Sequence, residues 1–309
     1  MHPLGWVYQL YGAFFWKLVR RLGLVSSTET MNDHLRDQIS PFDEHPACEI
    51  CGNRSVEEKL VTADGMRIVG CSNCGLWFTS PRINENVWTN YLRQITDRAI
   101  EFTENRLKYG CALSSSIKYS LPYPLWRLRL KDRENKVLGD IENYLGGEIR
   151  RLHDVGCGVG FFLRTAREKG IKVTGNDLNA YACKVMKKRF GLEVYNVELP
   201  KLDFSKNTVD AITFQDYIEH TYHPFHDLKA AFNFLRPGGV IYIETFHIDC
   251  LKFDTLKGNW NMLFWNHLFH FSIKTMKEII EKAGFLIEHI STDYQNPMVR
   301  VFAKKGSKQ

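Results

Sequence analysis

The glycine-rich stretch at residues 151–160, Arg-Leu-His-Asp-Val-Gly-Cys-Gly-Val-Gly, constrains the fold of this 309-residue chain more than any other feature. The residues before the glycines fit a short buried strand, and a helical pattern begins at Phe161. Between the two, glycine occurs at every second position, as Gly156, Gly158 and Gly160. Glycine lets the backbone turn tightly and lets a ligand approach the main chain. The stretch therefore predicts a strand, a tight turn with a bare main chain, and a helix.

An acidic residue follows at the distance that is typical of an adenosine-binding fold. Residues 171–178 indicate a second strand that ends in Asp177, about twenty positions after Gly156. A carboxylate at this place can accept hydrogen bonds from both hydroxyls of a ribose. The glycine spacing differs from the dinucleotide-binding Gly-x-Gly-x-x-Gly turn, whose third glycine would fall at Phe161. A glycine-rich turn by itself is often only a tight connection between a strand and a helix. The presence of Asp177 is what favours a cofactor-binding site.

Strand and helix patterns alternate from residue 148 onward, which predicts a parallel sheet with crossover helices. The two last strand-like segments, 285–292 and 298–303, are joined by a connection too short for a crossover and should be antiparallel neighbours. The other predicted strands are 151–155, 172–177, 193–197, 209–214 and 240–244, and the predicted helices are 126–145, 161–169, 179–189, 226–235 and one that begins at Ile273 after a Ser272 cap.

The spacing Asp-x-Gly-x-Gly-x-Gly that begins at Asp154, together with Asp177, resembles motif I of the class I S-adenosylmethionine (SAM) methyltransferases. The resemblance covers about residues 148–304. It implies an α/β fold with a seven-stranded Rossmann-like sheet and a terminal antiparallel hairpin, and SAM as cofactor. The residues that it assigns to the cofactor are Asp154, Gly156, Cys157, Gly158, Gly160, Asp177, Leu178, Glu198, Leu199, Gln215 and Asp216.

The same resemblance implies a place for individual cofactor contacts. Leu178 would pack on the adenine, and Glu198 would lie near the adenine amino group, where the family more often has aspartate. Gln215 and Asp216 would border the sulfonium. In open α/β sheets ligands bind outside the carboxyl ends of the strands, so we expect these side chains along one edge of the sheet.

The segment at residues 216–224, Asp-Tyr-Ile-Glu-His-Thr-Tyr-His-Pro, is similar to the Glu-His-x-x-x-Pro segment of small-molecule methyltransferases. These include quinone O-methyltransferases and deoxysugar C-methyltransferases. In the latter a Tyr-x-Glu-His group acts on the substrate, and Tyr217, Glu219 and His220 reproduce its spacing. We expect His220 to be the base, because imidazole suits proton transfer at neutral pH, with Glu219 orienting it or contacting the substrate. The alternative is that His220 only packs against the cofactor.

Four further histidines, His223, His226, His267 and His270, could reach the cleft, although packing in a lid is the favoured interpretation for each. A non-haem iron site built from them is not favoured, because no His-x-Asp/Glu pair is well placed.

Two Cys-x-x-Cys pairs, Cys48 with Cys51 and Cys71 with Cys74, are separated by nineteen residues. This spacing is typical of a zinc ribbon in which four thiolates surround Zn²⁺. A complete sulfur shell makes the metal structural, because no coordination position stays open. The alternative is a pair of redox motifs, which do not normally occur twice at ribbon spacing. The cysteine pattern as a whole suits a reducing cytoplasm.

The amino-terminal residues 4–21 are apolar and aromatic, followed by basic residues. The apolar run is shorter than the ~20 residues of a spanning helix, and its charges follow it, unlike those of a signal peptide. Two interpretations stay open: a helix that docks on the protein or on a second subunit, as in an oligomer, or peripheral membrane contact. The predicted segments are 1–46 (apolar helix and linker), 47–80 (zinc ribbon), 81–147 (helical connector and cap) and 148–309 (SAM-binding domain).

The favoured function is methyl transfer from SAM to a small-molecule acceptor, at a hydroxyl of a sugar-linked or lipid-linked metabolite in polysaccharide or natural-product biosynthesis. The net charge of +6 would suit an anionic acceptor, while no long basic run indicates nucleic acid. Alternatives are an RNA or protein methyltransferase that grips its substrate through the zinc ribbon, a sugar C-methyltransferase, and a non-catalytic binding module. Sugar C-methyltransferases have a further carboxyl-terminal domain that this sequence lacks. The Asn/Asp-Pro-Pro-Tyr/Phe motif of amino-nitrogen methylation is also missing after the fourth strand.

Overall fold

The computed structural model describes residues 45–62, 65–90, 123–260, 262–263 and 267–306. The predicted amino-terminal helix and almost all of its linker lie outside the described residues, so docking, oligomerisation, membrane contact and location in the cell stay predictions. Within the described part of the chain, every helix is too short or too polar to cross a bilayer.

The described residues contain the following β-strands and α-helices in chain order. They are β1 (Val56–Val61), β2 (Arg67–Cys71), β3 (Trp77–Thr79), α1 (Tyr123–Leu145), β4 (Arg151–Val155), α2 (Phe161–Glu168), β5 (Lys172–Asn176), α3 (Ala180–Phe190), β6 (Glu193–Tyr195), β7 (Val209–Gln215), α4 (Pro224–Phe234), β8 (Leu235–Phe246), α5 (Leu251–Leu256), β9 (Phe269–His270), α6 (Ile273–Lys282), β10 (Phe285–Asp293) and β11 (Asn296–Lys305).

A seven-stranded sheet in the order β10-β11-β8-β7-β4-β5-β6 forms the centre of the molecule. The five strands from β8 to β6 pair in parallel. The hairpin of β10 and β11 joins the edge of β8 in antiparallel fashion. The predicted α/β sheet with a terminal antiparallel hairpin is therefore confirmed. Because β4 lies between β5 and β7, the strand order reverses beside β4, and the carboxyl ends of these strands face one crevice.

Local sequence explains the central elements. In β7 the six residues from Val209 to Phe214 are all buried, as expected for a strand covered on both faces. The side chain of Asn179 caps α3 by accepting a hydrogen bond from the Ala182 amide. Ser272 caps α6 in a reciprocal box with Thr275, which confirms the predicted start of this helix.

Several element bounds differ from the sequence prediction. The β8 strand begins at Leu235 instead of 240, and its pairing with β7 slips around the Pro-Gly-Gly segment that the sequence suggested as a turn. Glycine allows such an irregularity within a strand. The α1 helix begins at Tyr123 rather than 126, and β6 ends at Tyr195 rather than 197. The short helix α5 was not predicted.

A second, four-stranded sheet in the order β1-β2-β3-β9 carries the cysteine pairs. Its fourth strand comes from the carboxyl-terminal half of the chain, where β9 pairs antiparallel with β3 through Phe78 and Phe269. One continuous apolar cluster joins Phe78 of this sheet, and Trp88 of the segment that follows β3, to Phe214 of the main sheet and Ile218 of its following loop. The cysteine-bearing sheet is thus packed onto the crevice edge of the main sheet. The segment boundaries after residues 46, 80 and 147 stay a prediction.

The fully buried His153 of β4 provides a test of this core. Its ring nitrogens lie 2.8 Å from the Thr174 hydroxyl and 2.9 Å from the Asn176 amide oxygen, and burial lowers its pKa to about 4. A folded-state pKa below that of the unfolded chain makes the native state bind fewer protons, so the contribution of His153 to stability is lost progressively as pH falls from about 6.5 to about 4.

We therefore expect the stability advantage of the wild type over His153→Asn to shrink by about 1.4 kcal/mol between pH 7.5 and pH 5.5. Buried carboxyl groups such as Asp154, whose pKa is raised, change stability with pH in the opposite direction. Their contribution is the same in both proteins and therefore cancels in the comparison. Urea unfolding at both pH values measures the difference. The exposed His289→Asn should show no such change, and an equal shift in both variants would contradict the account.

Candidate active site

A cavity of about 380 Å³ opens at the carboxyl edge of the main sheet, beside the reversal of strand order. It is lined by five of the residues that the sequence assigned to the cofactor and by two of the three predicted catalytic residues. These residues are Gly156, Asp177, Leu178, Glu198, Asp216, Tyr217 and His220. The predicted contacts Asp154, Cys157, Gly158, Gly160, Leu199, Gln215 and Glu219 are not part of the lining. The cavity is where open α/β sheets bind ligands.

The turn between β4 and α2 requires glycine, as its sequence suggested. Gly156, Gly158 and Gly160 all have positive φ, at 69°, 50° and 67°. A Cβ atom at Gly156 would lie 2.5 Å from the ring of Tyr217, and one at Gly160 would lie 2.5 Å from the sulfur of Met186. At Gly158 no atom lies within 4 Å of such a position. The turn is therefore packed at both ends and bare in its middle.

Asp177 joins the glycine turn to the start of α3. One carboxylate oxygen accepts a hydrogen bond from the Gly158 amide at 2.9 Å, and the other accepts one from the Asn179 amide at 2.8 Å. Burial raises the pKa of Asp177, whereas these two amides favour its ionised form. Each carboxylate oxygen has a further lone pair, so the group can hold its position and still accept bonds from a ligand in the cavity.

Asp154 lies behind the turn in the body of the protein. It is buried at the end of β4 and accepts a hydrogen bond of 2.6 Å from the Thr213 hydroxyl. Burial raises its pKa to about 7, and the nearby Glu134 and Asp177 contribute to the rise. Asp154 therefore connects β4 with β7 beneath the crevice, and it would respond to a positive charge brought into the cavity.

Tyr217 follows β7 and is held by a hydrogen-bond network of its own. Its hydroxyl donates to Asp227 of α4 at 3.0 Å, and the Thr221 hydroxyl donates to the same oxygen at 2.5 Å. Burial raises the pKa of Tyr217 well above its usual value, so its phenol stays protonated. Burial also raises the pKa of Asp227, to about 6. The ring of Tyr217 packs against the Gly156 turn, which places this side chain between the predicted cofactor and α4.

Glu219 and His220 lie at the inner end of the same loop. The Glu219 side chain is 3% exposed, and one of its oxygens lies 4.0 Å from Nε2 of His220. No described residue meets both hydrogen-bond distance and angle at either carboxylate oxygen, and burial raises the pKa of the group, while its own amide and the Thr245 hydroxyl favour the ionised form. The ring of His220 packs edge-on against that of His267, at 4.5 Å between centroids. Glu219 thus faces His220 and His267 rather than the cavity itself.

Segments outside the main sheet fix the backbone of this loop. The backbone oxygen of Glu219 accepts hydrogen bonds from the amides of Leu268 and Phe269, at 2.8 and 3.2 Å. The indole of Trp88 donates to the backbone oxygen of His220 at 3.2 Å and also lines the cavity. These contacts place the loop between β9 and the segment that follows β3.

His223 links the cavity to the first cysteine pair. Its Nδ1 lies 3.1 Å from the carboxylate of Glu49, which stands between Cys48 and Cys51, and its Nε2 lies 3.6 Å from that of Glu85. The hydrogen bond with Glu49 raises the pKa of His223. Glu49, Glu85 and Trp88 were missed by sequence reasoning, because no local motif marks them and their roles depend on contacts distant in sequence.

The four predicted cysteines come together in space. The sulfur atoms of Cys48 and Cys74, and those of Cys51 and Cys71, are each 3.4 Å apart, and all four lie within 4.8 Å of one another. Tetrahedral coordination with bonds of about 2.3 Å would place sulfur atoms roughly 3.8 Å apart, so the cluster fits Zn²⁺. The two pairs also share a backbone geometry, because the glycines that follow them, at 52 and 75, both have positive φ.

Comparisons with known proteins agree with this architecture. The family model described as "Methyltransferase domain" matches residues 118–290, more than half of the chain. A ubiquinone biosynthesis O-methyltransferase of Idiomarina loihiensis is 31% identical over 116 residues, which cover 35% of this chain and 47% of that protein. A tRNA (guanine(37)-N(1))-methyltransferase of Entamoeba histolytica is 28% identical over 142 residues, covering 45% and 36%.

Similarity in structure extends further along the chain. The crystal structure of Burkholderia thailandensis 1,6-didemethyltoxoflavin-N1-methyltransferase, with S-adenosylhomocysteine bound, superimposes with a TM-score of 0.51 at 14% identity. The match covers 81% of this chain and all of that one, and at this identity it bears on the fold alone. The curated sequence relatives are matched over about half of their length or less.

Proposed function

The chain belongs to the methyltransferase-domain family, and on this premise we propose that it transfers a methyl group from SAM to a small-molecule acceptor. The observation that carries the proposal is the cavity at the reversal of strand order, which Gly156 and Asp177 line, and beside which the Gly158 amide donates a hydrogen bond to the carboxylate of Asp177. A main chain without side chains and a carboxylate at the end of the next strand are what an adenosyl ligand requires.

The residues present suit SAM in charge as well as in shape. We propose that Asp177 accepts hydrogen bonds from the ribose hydroxyls, and that Leu178 and Glu198 face the adenine. Asp154 and Asp216 place acidic groups behind and beside the position of the sulfonium, and the raised pKa of Asp154 fits a carboxyl whose ionised form is stabilised when a cation binds. The bound cofactor would supply an electrophilic methyl group.

We propose that His220 accepts the proton of the acceptor hydroxyl. It is the histidine that lines the cavity and contacts the buried carboxylate of Glu219. When His220 takes up a proton, the negative charge of Glu219 at 4.0 Å stabilises the imidazolium. Tyr217 positions this step, because its ring packs on the glycine turn and its hydroxyl is held by Asp227. Alignment of the acceptor by the cavity walls then contributes much of the rate.

A small acceptor is supported by the lining of the cavity. Lys201 is the one lysine or arginine among the described lining residues and pairs with Glu198 at 2.9 Å, so the cavity offers little positive charge to a phosphate-rich macromolecule such as RNA. The curated O-methyltransferase relative acts in ubiquinone biosynthesis, which supports a hydroxyl as the methylated group. We propose a hydroxyl of a sugar-linked or lipid-linked metabolite as the acceptor, and a structural Zn²⁺ in the four-cysteine cluster.

Binding of SAM is the first test. Calorimetry should detect one SAM per chain, and Asp177→Ala should weaken binding by about 10- to 1,000-fold, because hydrogen bonds to a charged group contribute about 1.5–3 kcal/mol each. Asp203→Ala, which removes an exposed carboxylate outside the cavity, is the matched control and should bind as the wild type does. Equal binding by both variants would leave the ribose assignment without support.

Methyl transfer itself is tested with SAM that carries a labelled methyl group. The protein should transfer the label to a component of a metabolite extract, and mass analysis should identify an added methyl group on oxygen. Total RNA and a protein extract serve as alternative acceptors. Label that appears only in RNA or protein would contradict the proposed small-molecule acceptor.

A further inference from the structure

A buried carboxylate and two imidazoles meet in the wall of the cavity. One ligand atom from each of Glu219, His220 and His267 lies within 4.8 Å of the others. Glu219 and His267 are buried, whereas His220 is partly exposed and reaches the cavity. The cluster is far along the chain from the four cysteines and shares no residue with them.

The state of Glu219 points to a positive ligand. The residue is 2% exposed, and neither carboxylate oxygen has a partner at hydrogen-bond distance and angle among the described residues, although the Thr245 hydroxyl and the residue's own amide lie near enough to favour its ionised form. Burial of a carboxylate without hydrogen bonds is costly, unless the group is protonated or meets a cation. One of its oxygens lies 4.0 Å from Nε2 of His220, and a ring nitrogen of His267 completes a group of three ligand atoms within 4.8 Å of one another, so a cation among them would meet a carboxylate and two imidazoles.

His267 has the geometry of a metal ligand. Its Nδ1 lies 2.6 Å from the backbone oxygen of Met262, and since a carbonyl only accepts, Nδ1 carries the proton and Nε2 carries the lone pair. A ring N–H held by a backbone carbonyl is the usual support of a metal-bound histidine.

We propose that Glu219, His220 and His267 form a second metal site, which binds a divalent transition-metal ion such as Zn²⁺ and inhibits methyl transfer by occupying His220. Two histidines and one carboxylate are an established ligand set for zinc and iron(II). The sequence disfavoured a non-haem iron site built from His223, His226, His267 and His270, because no His-x-Asp/Glu pair is well placed to add a carboxylate to them. The fold supplies one, because the amides of Leu268 and Phe269 bind the backbone of Glu219 and bring His267 beside it.

The inhibitory role rests on the proposed function, whereas the site does not. The ion would bind the lone pair of His220 that otherwise accepts the acceptor's proton, so coordination and proton transfer exclude each other. No electron transfer is involved, and the only protons displaced are any that the three ligands carry at the pH of the experiment.

Calorimetry with Zn²⁺, on protein whose four-cysteine cluster is already zinc-loaded, tests the site. The wild type should bind one further equivalent. His267→Gln and Glu219→Gln should each weaken this step by at least ~10- to 100-fold, the loss seen when even the supports of metal ligands are removed. His226→Gln is the matched control, because it changes a cavity histidine outside the cluster, and it should bind the second equivalent as the wild type does. SAM calorimetry on each variant shows whether it has folded.

The second arm measures labelled methyl transfer against Zn²⁺ concentration. Inhibition should follow the occupancy of the second site in the wild type and in His226→Gln, and should require at least tenfold more Zn²⁺ in His267→Gln. No second equivalent, or equal affinity in His267→Gln and Glu219→Gln, would overturn the site. Occupancy without inhibition would overturn its inhibitory role. If the protein transfers no methyl group at all, the proposed function fails while the calorimetric arm still decides the site.

Discussion

His220→Ala should lower the rate of methyl transfer by about 10²- to 10⁴-fold while SAM binding stays at the wild-type level. The rate should fall because a hydroxyl is a poor nucleophile until its proton is removed, and the imidazole of His220 is the group that we assign to this step. Binding should persist because the carboxylate of Asp177 is held by the amides of Gly158 and Asn179, which the substitution does not change. The measurement is single-turnover transfer of labelled methyl at saturating SAM.

Glu219→Gln separates the electrostatic contribution from the proton acceptor itself. The amide keeps the size of the side chain but removes the negative charge that lies 4.0 Å from Nε2 of His220. We expect this variant to be slower than the wild type and faster than His220→Ala, because imidazole can still accept the proton without its counter-charge. The effect should be on the rate at saturation rather than on acceptor binding, since Glu219 does not line the cavity.

The matched control is His226→Ala, which removes another imidazole from the cavity wall. His226 lies beside His223 at 5.2 Å between ring centroids, on the α4 side of the mouth and away from the Glu219 contact. Its loss should lower the rate by less than tenfold. If His220→Ala were no slower than His226→Ala, His220 would only pack against the cofactor, and the proton acceptor would have to be sought elsewhere.

The main sheet could be predicted from sequence because its signals are local. A glycine turn, an acidic residue at the end of the next strand and an unbroken apolar run such as β7 each occupy a few consecutive residues. The terminal hairpin was predictable for the same reason, since its connection is too short to cross the sheet. Strand β9 has only two residues and no periodicity, and its pairing with β3 depends on the packing of distant segments.

In the candidate site too, the residues with a local sequence signal were predictable and those placed by distant contacts were not. The residues on the loops after β4, β5 and β7 follow strand ends, and strand ends of a parallel sheet meet at one edge. Asp154 was placed among the cofactor contacts, but it is buried behind the turn and bonded to Thr213. Trp88 and Glu85 reach the cavity, and Glu49 contacts its lining residue His223, only because the cysteine-bearing sheet packs against the main sheet, and nothing in their local sequence indicates that contact.

These distant contacts connect the cysteine cluster to the loop that carries His220. Glu49, between the first two cysteines, binds His223, and Lys282 of α6 donates to the backbone oxygen of the next residue, Ile50. Trp88 follows the same sheet and binds the backbone of His220. A cluster that holds this sheet together would therefore also hold the loop that carries Glu219 and His220, although no cysteine is among the described lining residues of the cavity.

Loss of zinc should consequently abolish methyl transfer while SAM binding survives. Structural zinc contributes on the order of 10 kcal/mol to the folding of small metal sites, so a sheet of three short strands and β9 should not persist without it. The SAM contacts that we propose belong to the main sheet, whose strands pair independently of the cysteines. Cys71→Ser should reduce the zinc content from about one per chain to a small fraction and lower turnover by more than 100-fold, with SAM affinity within a few-fold of the wild type.

Cys250→Ser is the control, because Cys250 is also buried but lies outside the cluster, with its sulfur 3.3 Å from the backbone oxygen of His247. A serine hydroxyl can make the same bond, so this variant should keep its zinc and its turnover. Zinc content by elemental analysis, SAM calorimetry and labelled turnover are measured on the same preparations. A Cys71→Ser protein that loses zinc and still transfers methyl groups at the wild-type rate would show that the loop that carries Glu219 and His220 is held by the main sheet alone. Simultaneous loss of SAM binding would instead show that the two sheets fold as one unit.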